Sequence, residues 1–168
     1  FDLLRNLHHD DMFYMIDDSL PKDAGIVRIH VAGDFFNQEY MHAWYMVAAL
    51  NPNVLFYAYT KSLKFWVGGI NELPILHNFV LTASYGGRDD HMIDEFNLRS
   101  TKVVFSEAIA SVLGLEIDHD DSHAAKPSLR DQDFALLIHG TQPAGSQAST
   151  ALKKLKGKGS YSRKKLKV

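Results

Sequence analysis

The sequence contains no cysteine, so its 168 residues can form neither a disulfide bond nor a thiolate metal site. No apolar run approaches the roughly 18 residues that a membrane-spanning helix requires, and the first residues lack the ordered regions of a signal peptide. These absences predict a cytoplasmic protein with no membrane partner. The chain begins at Phe1 rather than at methionine, and we therefore expect it to be a piece of a longer protein.

Composition and charge predict one folded domain followed by a basic tail. Apolar residues make up 46% of the chain and charged residues 23%, values typical of folded proteins. Residues 153–168 carry eight lysine or arginine side chains and no acid, whereas residues 1–152 hold ten basic and twenty acidic side chains. The formal net charge of −2 hides this split. We predict an α/β domain over residues 1–152 and a flexible basic tail over residues 153–168.

Apolar, β-rich segments alternate with helix-like patterns along the chain. Predicted strands cover residues 26–31, 54–59, 76–83, 102–105 and 134–138. Predicted helices cover residues 12–20, 38–50, 61–68, 90–97, 107–113 and 145–155, and residues 115–133 are predicted to be irregular. Such alternation is typical of parallel sheets with right-handed crossovers. The predicted fold class is therefore α/β, with successive βα units, a mainly parallel sheet and the organisation of a partial (β/α) barrel. Tyr40, Trp44 and Tyr45 are expected to pack against this sheet. Phe35 and Phe36 are expected to join the core, although a hinge or a wall of the pocket is the alternative for both.

Polar residues collect where the predicted strands end. In a parallel α/β sheet these carboxyl ends face the ligand crevice, so we predict a site there for a small anionic ligand or a nucleotide. Asp34 and Lys61 are the candidate catalytic residues, since Asp34 could bind a metal or a hydroxyl or act as a base, and Lys61 could hold an anion. The candidate ligand-binding residues are His30, Thr60, Ser84, Gly86, Gly87 and Arg88. Each also has a structural explanation: Asp34 after Gly33 suits a turn, Thr60 suits a helix cap, and most Gly-Gly pairs are simply turns.

Two further segments suggest other chemistry. His119 and His123 lie in an Asp-rich stretch and could ligate a divalent metal, as a metal-dependent hydrolase would require, although an acidic solvated loop explains the same residues. The predicted tail could contact nucleic-acid phosphates without reading the sequence, in a salt-dependent manner. Its candidate residues are Lys153, Lys154, Lys156, Lys158, Arg163, Lys164 and Lys165. His8 and His9 show no partner pattern and receive no predicted role.

Three sequence blocks carry a family resemblance. They read R-I-H-V-A-G-D-F-F, F-Y-A-Y-T-K-S and T-A-S-Y-G-G-R-D-D-H-M-I-D. In order and spacing they resemble the gene product 88 family of tailed phages, over residues 1 to about 105. If the protein is phage-encoded, the compartment expected from the sequence is the host-cell cytoplasm.

That family in turn resembles radical S-adenosylmethionine proteins. The resemblance implies a partial barrel and, upstream of the first block, a C-x-x-C cysteine cluster that could hold an iron–sulfur cluster. An iron–sulfur cluster and S-adenosylmethionine are therefore expected cofactors only if such a motif precedes this sequence. The strand-end residues that the resemblance carries over as site candidates are Asp34, Thr60, Lys61, Ser84, Gly86 and Gly87.

Overall fold

A computed structural model describes residues 2–69 and 73–160. In those residues, helices and strands alternate along the chain. The helices are α1 (His9–Ser19), α2 (Gln38–Leu50), α3 (Leu63–Gly69), α4 (His91–Glu95), α5 (Glu107–Val112), α6 (Ser122–Ala125) and α7 (Gln147–Lys154). The strands are β1 (Ile26–Arg28), β2 (Leu55–Thr60), β3 (Phe79–Ser84), β4 (Ser100–Val104), β5 (Glu116–Asp118) and β6 (Phe134–Leu137). Two 3₁₀ turns, Leu4–Asn6 and Pro127–Leu129, complete the order.

The strands follow the order β1-β2-β3-β4-β6-β5. Strand β2 pairs in parallel with β1 and with β3, and β6 pairs in parallel with β4 and with β5. The predicted α/β class, with successive βα units on a parallel sheet, is confirmed. Six strands in the described residues are fewer than the eight that close a (β/α)₈ barrel, and this number fits a partial barrel. The chain divides into two compact units between Arg99 and Ser100.

The core of the first unit forms where α1 and α2 pack against the strands. Helix α2 begins after Asn37, whose side-chain oxygen accepts the backbone N–H of Tyr40 at 2.8 Å, as expected of an N-cap. Trp44 and Phe56 are buried in the same cluster, with Met12 contributed by α1. Four of the aromatic residues predicted to be structural are buried, namely Phe35, Tyr40, Trp44 and Tyr45. The fifth, Phe36, is half-buried and packs against the same cluster.

The second unit contains elements that the sequence did not predict. The prediction that residues 115–133 are irregular is wrong in part, because β5, α6 and the turn Pro127–Leu129 lie there. Strand β5 pairs with β6, whose Phe134 and Leu137 are fully buried.

Ser160 belongs to the buried part of the second unit. Its hydroxyl donates to the carbonyl of Asp118 at 2.7 Å and accepts the N–H of Leu137 at 2.9 Å. Its side chain is fully buried. The predicted domain boundary at residues 152/153 falls inside α7, so a truncation at that boundary would remove Ser160 and leave the Leu137 N–H without its acceptor.

Asn78 closes the C-terminal end of α2 and the entry to β2. Its Nδ2 lies 2.8 Å from the carbonyl of Ala48 and 3.0 Å from the carbonyls of both Asn51 and Val54. The carbonyls of Ala48 and Asn51 also accept the backbone N–H groups of Asn51 and Val54 at 3.2 and 3.0 Å. The Asn78 amide therefore adds a second donor to these carbonyls and joins the end of α2 to the start of β2.

We expect Asn78→Asp to lower the free energy of unfolding by about 2 kcal/mol, because it replaces the amide donor by an acceptor of nearly the same shape that faces carbonyl oxygens. Urea unfolding at neutral pH measures the change. Asn53→Asp is the matched control, since Asn53 is exposed in the same connection. Equal losses in the two variants would contradict the role assigned to Asn78.

Candidate functional site

Asp34 lies in the segment that follows β1, and its carboxylate binds that segment to the end of β2. One oxygen of its carboxylate accepts the N–H of Phe35 at 2.8 Å and the hydroxyl of Thr60 at 2.6 Å. The other oxygen accepts the backbone N–H of Lys61 at 2.7 Å. Both carboxylate oxygens of Asp34 therefore already accept hydrogen bonds from the protein. This geometry suits a residue that positions its neighbours better than one that takes up a proton from a ligand.

Thr60 and Ser62 extend this arrangement into the start of α3. The hydroxyl oxygen of Thr60, which is fully buried, accepts the N–H of Ser62 at 3.0 Å. The hydroxyl of Ser62 in turn donates to the carbonyl of Phe35 at 2.7 Å. Each of these groups is already used within the protein, so Thr60 holds the turn and offers little to a ligand.

Lys61 reaches from β2 to the end of β3. Its side chain is exposed, and its Nζ donates to the carbonyl of Gly86 at 3.3 Å. The Gly86–Gly87 loop is closed by Asp90, whose two carboxylate oxygens accept the N–H groups of Gly86 and Gly87 at 2.8 Å each. A phosphate could therefore use those two amides only by displacing Asp90.

The glycine at position 87 allows this close approach. A Cβ placed there would lie 3.1 Å from the Lys61 Cβ and 3.2 Å from an Asp90 carboxylate oxygen. Gly86 has a backbone φ of +100°, a value that residues other than glycine rarely adopt. Beside them, Arg88 is exposed and Ser84 is half-buried at the end of β3. The structure thus brings five of the predicted residues into one neighbourhood, namely Asp34, Thr60, Lys61, Gly86 and Gly87.

His30 differs from the other candidates because it is buried, with 6% of its surface exposed. Its ring meets Phe35 edge-on at 4.7 Å between centroids and lies 5.7 Å from the Tyr40 ring. Neither ring nitrogen has a hydrogen-bond partner among the described residues. Burial lowers the pKa of His30, and the nearby Asp34 carboxylate partly opposes this effect. These contacts place His30 in the core beside the strand ends rather than on an open surface.

His119 and His123 are not brought together as a pair of metal ligands. His119 is exposed, whereas His123 is buried and stacks on Phe134 at 4.7 Å between ring centroids. The aspartate that precedes them, Asp118, organises the loop by accepting the N–H groups of Asp120, Ser122 and His123 at 3.0–3.2 Å. Within residues 2–69 and 73–160, neither histidine belongs to a group of three converging metal-ligating side chains.

The predicted tail lysines are only partly within the described residues. Lys153, Lys154, Lys156 and Lys158 are exposed at the end of α7 and just beyond it. A cavity of about 430 Å³ at the end of β4 is lined by Ser106 and by Lys154, among others. Three predicted nucleic-acid contacts lie outside the described residues: Arg163, Lys164 and Lys165.

One group of polar side chains was not predicted from the sequence. His8, His9 and Asp10 at the start of α1 lie beside Glu39 and His42 in the first half of α2. The hydrogen bond from His9 lowers the pKa of Glu39, and burial, followed by the proximity of His9, lowers the pKa of His42. The available signal was the run His8-His9-Asp10, but its partners are about 30 residues away in the chain.

The fold and the strand-end residues together define an α/β protein with a polar face at the carboxyl ends of its first three strands. The sequence model of the family described as gene product 88 matches residues 2–156. The chain belongs to the gene product 88 family, and the resemblance to that phage family found in the sequence is confirmed. No curated protein and no solved structure matches the chain.

Among the helices of residues 2–69 and 73–160, none combines the length and apolar character needed to cross a bilayer.

The burial of His30 predicts a measurable pH dependence of stability. Because its folded-state pKa lies below the usual value, the unfolded chain takes up a proton first as the pH falls below about 6.5. The contribution of His30 to stability is therefore complete above that pH and declines as the pH falls toward the lowered folded-state pKa.

We expect His30→Phe to be at least as stable as the parent at pH 7.5, by up to about 1 kcal/mol, because no protein hydrogen bond in the described residues is lost. The loss of stability between pH 7.5 and pH 5.5 should also become smaller. Urea unfolding at the two pH values measures both effects. His119→Phe, at an exposed histidine, should leave the pH dependence unchanged. A His30→Phe variant with the parent's full pH dependence would refute this explanation.

Proposed function

We propose that this protein binds a small anionic ligand, with nucleotides as the leading class, at the carboxyl ends of β1, β2 and β3. The observation that carries the proposal is the placement of Lys61. Its ammonium group is exposed and contacts the neutral carbonyl of Gly86, so its positive charge remains available to an anion.

Asp34 fixes the backbone position from which the Lys61 ammonium group extends. By accepting the backbone N–H of Lys61 and the hydroxyl of Thr60, it holds the end of β2 against the end of β1. The Lys61 side chain therefore starts from a fixed backbone, which lowers the entropy lost when it binds a ligand. In this proposal Asp34 is a positioning residue, and Lys61 and Arg88 supply the charge that attracts the ligand.

Asp90 sets a limit on the mode of binding. Because its carboxylate already holds both amides of the Gly86–Gly87 loop, the loop does not offer an open phosphate cradle of the glycine-rich type. We infer that an anion binds through the side chains of Lys61 and Arg88 and is repelled by the negative charge of Asp90. Removing that charge should then improve binding.

Radical chemistry contributes no step to this proposal. The 168 residues contain no cysteine, so they supply none of the thiolates that ordinarily hold an iron–sulfur cluster. The likeness to S-adenosylmethionine enzymes remains an expectation of the family resemblance, and the ligand site is argued from Lys61, Arg88 and Asp34 alone.

We expect the full chain to bind inorganic pyrophosphate or adenosine nucleotides. Lys61→Ala and Arg88→Ala should each weaken this binding by about tenfold, the value of one charge-assisted contact. Asp90→Asn should strengthen it. Isothermal titration calorimetry against phosphate, pyrophosphate, AMP and ATP measures the affinities.

Lys64→Ala is the matched control, because Lys64 is an exposed lysine nearby in the sequence, in the first turn of α3. Asp34→Ala should lower both the melting temperature and the affinity, whereas Lys61→Ala should lower only the affinity. The proposal fails if none of the four anions binds, or if Lys64→Ala weakens binding as much as Lys61→Ala does.

A second function is favoured by the exposed lysines at the end of α7. Four of them lie within six residues, and Lys154 also lines the cavity at the end of β4. Closely spaced lysines bind nucleic-acid phosphates by releasing counterions, without sequence preference. We therefore propose non-specific nucleic-acid contact as the alternative activity of this chain.

For this alternative, we expect a fourfold serine substitution at Lys153, Lys154, Lys156 and Lys158 to weaken binding to single-stranded DNA and to flatten its salt dependence. A second variant carries serine at Arg163, Lys164 and Lys165. Substitution is preferable to truncation at residue 153, because truncation removes the buried Ser160. Mobility shifts between 50 and 200 mM salt measure the effect. Serine at the exposed Lys22, Lys64 and Lys126 is the matched control, and an equal loss there would show that only net charge matters.

A further inference from the structure

Two imidazoles and a carboxylate converge at the first turn of α1. His8 Nδ1 lies 3.2 Å from one oxygen of Asp10, and His9 Nε2 lies 3.6 Å from the other. One ligand atom from each of the three residues can be chosen so that all lie within 4.8 Å of one another. Among the described residues, no other group of three metal-ligating side chains converges in this way.

These separations suit a small divalent ion. Zinc binds imidazole nitrogen and carboxylate oxygen at about 2.0–2.2 Å, so two ligands of a tetrahedral ion lie roughly 3.3–3.6 Å apart. The distances from Asp10 to His8 and to His9 already fall at this spacing or within about 0.1 Å of it. These two distances involve different oxygens of Asp10, and one ligand atom from each residue lies within 4.8 Å of the others. Side-chain rotation would therefore have to bring the three atoms closer together around a single ion.

Glu39 supplies the outer support that such sites use. Its Oε2 lies 2.5 Å from His9 Nδ1 and accepts the backbone N–H of His9 at 3.1 Å. A carboxylate on one ring nitrogen orients the other nitrogen toward a metal and increases its basicity. Here it leaves His9 Nε2 directed to the side where Asp10 lies. The His42 ring, 4.2 Å from that of His9 between centroids, packs behind it and restricts its rotation.

We propose that His8, His9 and Asp10 form a binding site for a divalent transition metal such as Zn²⁺, with Glu39 as the outer carboxylate that orients His9. A set of two histidines and one carboxylate suits zinc, iron or cobalt better than magnesium or calcium, which prefer all-oxygen sites. The side chains of His8 and Asp10 are more than half exposed, so a bound ion keeps coordination positions open to water or to a further ligand.

A metal at this place would be held by α1 and linked to α2 indirectly, through the hydrogen bonds of Glu39 to His9. The ligands belong to the start of α1, and the outer carboxylate and His42 belong to α2. Binding would therefore fix His9 and its hydrogen bonds to Glu39, at one end of a contact between the helices that is otherwise mainly apolar. A ligand that binds only the folded state raises its stability by mass action, so the melting temperature reports on occupancy.

The test uses the full chain, purified without a histidine tag and stripped with chelator, and titrated with Zn²⁺ and with Co²⁺. We expect one ion per chain, a visible cobalt absorption band and a higher melting temperature with Zn²⁺. His8→Ala and His9→Ala should each weaken Zn²⁺ binding more than tenfold, and Glu39→Gln by about tenfold.

Asp10→Asn keeps the size of an exposed side chain and guards against the case in which a histidine variant fails to fold; it too should weaken binding more than tenfold. His91→Ala and His119→Ala are the controls, both at exposed histidines. The proposal is overturned if the parent binds neither ion, if Asp10→Asn binds Zn²⁺ as well as the parent does, or if a control histidine proves to hold the ion.

Discussion

The strand-end face of the first unit depends on one carboxylate, that of Asp34. A parallel ladder joins β1 to β2 along their lengths but does not fix the chain after the strands end. Asp34 does so by accepting donors from Phe35, Thr60 and Lys61 at 2.6–2.8 Å. The direction of Lys61, and through it the contact with the Gly86 loop, follows from this local set of hydrogen bonds.

The same device recurs at other loops, which explains part of the acidic character of residues 1–152. Asp90 holds two amides after β3, Asp118 holds three after β5, and Asp133 accepts the N–H of Ser100 at 2.6 Å. A carboxylate that accepts two or three amides replaces the partners that irregular backbone lacks. Together with Asp34, these three aspartates use their carboxylates within the fold, so an excess of acids in the sequence does not by itself imply an acidic binding surface.

Sequence patterns predicted those structural features that depend on residues close together in the chain. The helix over residues 38–50 and its Asn37 cap were predicted with their observed bounds, because a long apolar face and a cap are local signals. Strand β5 was missed, since Glu116–Asp118 has a single apolar residue and is defined by pairing with β6. The strand-end candidates could be grouped from the fold alone, but the three donors on Asp34 could not be foreseen, because two of them come from 26 and 27 residues away.

Charges left after folding decide what each part of the first unit can bind. At the strand ends, Asp34 and Asp90 are occupied by backbone and hydroxyl donors, whereas Lys61 and Arg88 are exposed. The ligand proposed there is for this reason an anion. At the first turn of α1, two imidazoles lie beside the exposed carboxylate of Asp10, and the ligand proposed there is a cation. The two sites proposed for this one unit therefore differ in the sign of the charge that their ligands would carry. Neither proposed site could be inferred from the net charge of −2. That number counts charged groups that are hydrogen-bonded within the fold together with those that are exposed to a ligand.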